Sequence, residues 1–158
     1  MKYALLMLIA VCFSCEKGES TVKSTSDDVK AYIIGYTGGW GGGPAYKLEG
    51  GQLFRSAEDR FLGTPDDILD GIEFRLLEDG AKLQAMTAVM AEYPATVFDS
   101  VAPKFDCAEM AWDGVCPYLI ILTETGGSKA WTRSESDEAT PFSSYLDEIA
   151  ELLQTLSQ

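Results

Sequence analysis

The run YLIILTE (residues 118–124) constrains the fold of this chain more than any other stretch. No polar side chain interrupts it from Tyr118 to Leu122, whereas a strand with one face in water alternates apolar and polar residues. A continuous apolar run bounded by turn residues reads as a central strand covered on both faces or nearly so. The rest of the chain must supply a sheet around it and cover over it.

Cover is legible at the C-terminus. Thr140-Pro141 has the form of an N-cap followed by proline at the first helical position, where a missing N–H costs nothing. Phe142, Tyr145, Leu146, Ile149, Leu152, Leu153 and Leu156 then recur with helical spacing and make one broad apolar face. A second helix is predicted after Asp79, whose carboxylate is placed to cap free backbone N–H groups. Leu83, Met86, Met90 and Tyr93 form its stripe, and Pro94 ends it.

Further strands are predicted at 30–38 (KAYIIGYTG), at 45–56 as a hairpin about Gly50-Gly51, and at 71–77, where Ile72, Phe74 and Leu76 alternate with Glu73 and Arg75. Gly126-Gly127 turns YLIILTE into SKAWTRS. The acidic, turn-rich stretch 56–71 reads as a connection, and 95–116 carries mixed signals. The order strands, helix, strands, helix predicts an α+β fold, an antiparallel sheet of about four to six strands with two helices packed on one face. The halves share the look YIIGY…GG and YLIIL…GG, so a strand–hairpin–helix repeat is a further expectation.

The chain has 158 residues, room for one domain. With 25 acids, 12 bases and no histidine its formal charge is −13. That balance excludes nucleic acid, whose phosphates need a basic surface, and electrostatic docking on anionic lipid.

The first fifteen residues, MKYALLMLIAVCFSC, begin with a positive Lys2 and continue with an apolar stretch from Ala4 to Phe13. Ten residues are too few to cross a hydrocarbon core about 30 Å thick as a helix. Positive end, short apolar core, small Ser14 and then Cys15 resemble the signal of a bacterial lipoprotein. The resemblance covers this N-terminal tenth alone. It departs from the usual pattern at Cys12 and Phe13, where the family has leucine and a small residue. It implies export, cleavage after Ser14, and lipidation of Cys15 with acyl groups such as palmitate, anchoring the chain to a membrane at the cell envelope. Ordinary signal-peptide cleavage after Cys12-Phe13-Ser14, leaving Cys15 as a free thiol, is the alternative. The expected organisation is a signal peptide at 1–14, a disordered lipid-anchored tether at 15–29 and one α+β domain at 30–158. The tether EKGESTVKSTSDD is polar and contains no aromatic residue.

Two cysteines then remain, Cys107 and Cys116, in DCAEMAWDGVC. In an exported chain a leftover pair nine positions apart most simply forms one disulfide. A zinc site would need further ligands, and there is no histidine to give them.

Chemistry is sparse. YTGGWGGGPAY (36–46) is rich in glycine, but Gly43 is followed by Pro44, which has no N–H, and then by a strand pattern instead of a helix. Its spacing matches neither the dinucleotide fingerprint nor the P-loop, so it reads as a turn joining two strands. Without histidine the commonest general base is missing, and with Cys107 and Cys116 paired no thiolate remains there. DDILDGIEFRLL from Asp66 has acids at the first and fifth positions and glycine at the sixth of a calcium loop. It fails at Ile68 and Leu77, where oxygen ligands are required. The acidic stretch 134–139 reads as a solvated turn. Nothing calls for a cofactor or a metal.

What remains is two tryptophans at loop positions. Trp40 stands among glycines and Trp112 inside the cysteine loop. Each either plugs the edge of its own core or displays a rigid contact surface to a partner. The reading is a non-catalytic interaction module of the cell envelope that binds an envelope protein or a glycan through Trp40 and Trp112. An inhibitor of an exported enzyme and a hydrolase built on two carboxylates are the alternatives.

Overall fold

The computed structural model describes residues 28–38, 43–59, 64–107, 114–134 and 138–158. Cys15, Trp40 and Trp112 lie outside them.

Six strands form one open antiparallel sheet in the order β4-β3-β2-β1-β5-β6. They are β1 (Val29–Thr37), β2 (Tyr46–Glu49), β3 (Gln52–Ser56), β4 (Phe74–Leu76), β5 (Cys116–Thr123) and β6 (Ser128–Thr132). With helices α1 (Pro65–Gly71), α2 (Gly80–Ala91), α3 (Ala95–Asp99) and α4 (Pro141–Ser157), the fold is α+β. The apolar run lies in β5, an interior strand bonded to β1 along its whole length and to β6 on its other side. The first four strands precede α2 and only one hairpin, β5–β6, precedes α4, so the two halves contribute unequally to the sheet.

Alternation along the strands sorts the core into two clusters. Ile34, Tyr46, Leu53, Leu119, Ile121 and Trp131 pack with Met86 and Met90 of α2, Phe98 of α3 and the apolar face of α4. The alternate residues Ile33, Tyr118, Ile120 and Ala130 join a smaller cluster with Ile68 of α1, and Phe105 packs against it. This is why β5 carries no polar side chain from Tyr118 to Leu122: both of its faces are covered.

Local chemistry sets the helix ends. Thr140 accepts from the Ser143 N–H, and the Ser143 side chain answers at the Thr140 N–H, closing a capping box before Pro141. Tyr145, Leu146, Ile149, Leu152, Leu153 and Leu156 of α4 are all buried, each contributing about 1.5–3 kcal/mol relative to exposure. Asp79 caps α2 through the N–H groups of Ala81 and Lys82. Pro94 stops α2 and at once becomes the N-cap of α3. The stretch 56–71, expected as a connection, holds α1, capped by Thr64 with Pro65 behind it. It repeats the threonine–proline start of α4 over only seven residues.

The segment 101–106 descends beside β6. Lys104 bridges Trp131 in parallel, and the Thr132 N–H donates to the Lys104 carbonyl at 3.0 Å. Trp131, fully buried, meets Phe98 edge-on at 4.9 Å and donates its indole N–H to the Val101 carbonyl. Among the described residues it is the largest fully buried side chain. Among the described residues no helix is long and apolar enough to cross a membrane.

Candidate interaction surface

The two ends of the sheet differ. At one end the connections are tight. β2 and β3 are joined by Gly50-Gly51, both with positive φ, as a two-residue hairpin turn requires. β5 and β6 are joined through Gly126, with the Thr123 hydroxyl accepting from the Gly127 N–H. At the other end lie the C-terminal ends of β1, β3 and β6 and the starts of β2, β4 and β5, as the register Ile34↔Tyr46, Thr37↔Cys116, Ser56↔Phe74 and Tyr118↔Thr132 requires. The longer connections leave from this end, and such loops on a rigid frame are where binding residues concentrate.

Buried hydroxyls hold these loops to the strand ends. Thr37, Ser56, Thr132 and Ser134 are all buried there. Ser56 Oγ accepts from the Ala45 N–H at 3.0 Å and donates to the Glu58 carbonyl at 2.8 Å. Thr132 Oγ1 accepts from the Asp106 N–H at 3.0 Å and donates to the Asp106 carbonyl at 2.8 Å. Ser134 Oγ lies 3.9 Å from Cys116 Sγ. The Ser56 and Thr132 hydroxyls replace solvent for backbone groups that the sheet ladder does not reach.

Cys107 and Cys116 are joined, with Cα atoms 5.8 Å apart and both residues buried. The bridge ties segment 101–107 to the first residue of β5, so the stretch between the cysteines starts and ends at one point of the sheet. Beside it Gly38 has φ +131°, a conformation that side chains other than glycine resist. A Cβ there would overlap the Gly114 carbonyl oxygen and stand 2.9 Å from Val115 Cα. Gly38 precedes Trp40 by two residues and Gly114 follows Trp112 by two. The stems of the two tryptophan-bearing segments therefore touch backbone to backbone at one end of the sheet.

The tyrosines near this end are structural. Tyr118 packs its ring over Gly35, where an added Cβ would come within 2.5 Å of the phenol oxygen, and against Phe105. Burial pushes its pKa upward. Tyr36, raised for the same reason, donates to the Ala150 carbonyl at 3.0 Å. Two carboxyls are shifted in the other direction. Hydrogen bonding from Lys47 lowers Glu49, and hydrogen bonding from Arg75 lowers Glu73. Among the described residues there is no group of three or more acidic, cysteine or histidine side chains placed to hold a metal ion.

Sequence reasoning singled out the two tryptophans and the cysteine pair but missed the hydroxyl collar. Threonine and serine at a strand end carry no distinguishing signal until their register is known. No protein-family model matches the chain, and neither a curated protein nor a solved structure does.

Proposed function

We propose that this chain is an exported, lipid-anchored protein of the cell envelope that works by binding, engaging a protein or glycan partner with the loop end of its sheet. Trp40 and Trp112 are its anchors. The observation that carries this reading is the contact between Gly38 and Gly114, which gives two aromatic-bearing segments one rigid base. Anchors presented from a rigid base lose little freedom on binding.

Export and anchoring rest on the sequence of residues 1–15 and on the cysteine pair, which suits an oxidising compartment. A hydrolase built on carboxylates needs one carboxyl with a raised pKa to act as general acid. Glu49 and Glu73, held low by their cations, are unsuited to that role.

The test is retention of envelope components of the native host on immobilised mature protein, comparing wild type with Trp40→Ala and Trp112→Ala. The account expects both variants to melt as wild type does and to lose the retained partner. Unchanged retention, or loss of folding in both variants, would remove the tryptophans from the site. Turnover of a glycosidic or ester substrate, abolished by changing one acid, would replace the reading with the hydrolase.

A further inference from the structure

Around the β6 edge from the loop end lies a groove of about 830 Å³, within the size range of sites that bury a ligand. It runs between segment 97–104 and the start of α4. Its flanks lead directly into the loop end: Lys104 stands three residues before Cys107, and Glu138 lies just before the cap of α4.

Its walls are apolar, made by Val97, Val101, Pro103 and Phe142. Four hydroxyls also line it, and all are engaged within the protein. Ser100 donates to the Val97 carbonyl. Thr132 makes both of its bonds to Asp106. Thr140 and Ser143 are occupied with each other in the capping box, and Ser143 also donates to the Glu138 carbonyl. A sugar ring carries hydroxyls all round, and beyond Lys104 and Glu138 these walls offer it mainly apolar surface, so part of its polar rim would be desolvated without full compensation. An apolar side chain suffers no such loss.

Charge around the groove is one-sided. The basic residues on the elements that frame it, Lys104, Lys129 and Arg133, already face acids: Asp106 at 3.7 Å, Asp99 at 3.1 Å and Asp147 at 2.8 Å. Glu138, on the groove wall, adds to the negative side on a chain of net charge −13.

We infer that the partner is a protein, which seats a large apolar side chain, set in a basic surface, in the groove between Val101 and Phe142. This rests on the reading of the loop end as the binding surface and decides between the two partner classes left open there.

The test is heteronuclear NMR of the mature full chain in micelles, titrated with three probes. One is a short capped peptide with a single tryptophan flanked by lysines. The second has glutamates in place of the lysines, and the third is N-acetylglucosamine. The lysine peptide is expected to shift the Val101, Lys104 and Phe142 amides saturably, the glutamate peptide to bind at least several-fold more weakly, and the sugar to leave them unmoved. Ala102→Trp, an exposed position on the rim, fills the groove and abolishes the peptide shifts while leaving the rest of the spectrum in place. Shifts from the sugar, equal binding of the two peptides, or no shift at these amides from the lysine peptide would each overturn the inference. If the lysine peptide is silent while Trp40→Ala and Trp112→Ala still lose the partner, the groove falls and the loop-end reading stands. If retention survives those two substitutions, the loop-end reading falls first.

Discussion

The backbone of Gly38 lies against the backbone of Gly114, so close that a Cβ on Gly38 would overlap the Gly114 carbonyl oxygen. Neither neighbour can yield cheaply, because the obstacle is main chain, and φ +131° is itself adverse for an L side chain. Gly38→Ala is therefore expected to lower stability by about 2–3 kcal/mol, read as a lower urea midpoint. Gly80→Ala is the control. It opens α2 with nothing within 4 Å of an added Cβ, and it is expected to be neutral or to stabilise by about 0.4–1 kcal/mol. Equal effects at the two sites would contradict the close approach.

The cysteine bridge closes a loop with a sequence separation of nine. Constraint of the unfolded chain gives it about 2–3 kcal/mol. Cys107→Ala with Cys116→Ala should cost that much in urea denaturation. Because both residues are buried, alkylation under reducing, native conditions should track unfolding. Rapid native labelling would mean that the bridge is open to solvent.

The end of α4 is clasped by two donors at one carbonyl. Tyr46 Oη and Lys82 Nζ reach the Leu156 oxygen at 2.8 and 2.7 Å. Either donor satisfies that acceptor, so Tyr46→Phe or Lys82→Met alone should cost about 1 kcal/mol. The double variant should cost more than their sum, since only it leaves the carbonyl bare. Strict additivity in a denaturation cycle would show that the two bonds are independent.

Five tyrosines, at 32, 36, 93, 118 and 145, have pKa values raised chiefly by burial above the ordinary value near 10. Above that value the unfolded chain releases phenolic protons that the folded chain keeps, so unfolding becomes easier as pH rises. Stability is expected to hold below about pH 10 and to fall above it. Phenolate absorbance of the two most deeply buried of these rings, Tyr118 and Tyr145, should appear together with unfolding and not before it. A smooth titration in the folded state would contradict their burial.

Much of this fold is legible in the sequence because period and punctuation agree there. The hairpin 45–56 turns at Gly50-Gly51, Thr140-Pro141 opens α4, and Asp79 caps α2. β5 is interior, as its uninterrupted apolar run requires. The helix α1 carried the same Thr-Pro signal as α4, at Thr64-Pro65. With only Ile68 buried it lacks a stripe, and the acids around it read as a connection. Segment 101–106 is placed by pairing with β6 across 26 or more residues, which no local pattern announces. The loop end is legible only in part. The cysteines and tryptophans stand out, but the contact that brings their stems together is between two glycines far apart in the chain.

Anchoring has its own readout. The non-reduced mass of the protein from the membrane fraction of its host should correspond to a chain beginning at Cys15, increased by a diacylglycerol and an acyl group and two hydrogens short. An unlipidated chain with free thiols would contradict both export by this route and the bridge.

The central claim is that a partner meets the loop end of the sheet, and site-specific photocrosslinking in the native host tests it most directly. A crosslinker placed at position 40 or at 112 should give a common adduct, while one placed at 51 or at 126, in the tight turns of the opposite end, should give none. Adducts from the opposite end alone, or equal yields from both ends, would contradict the account.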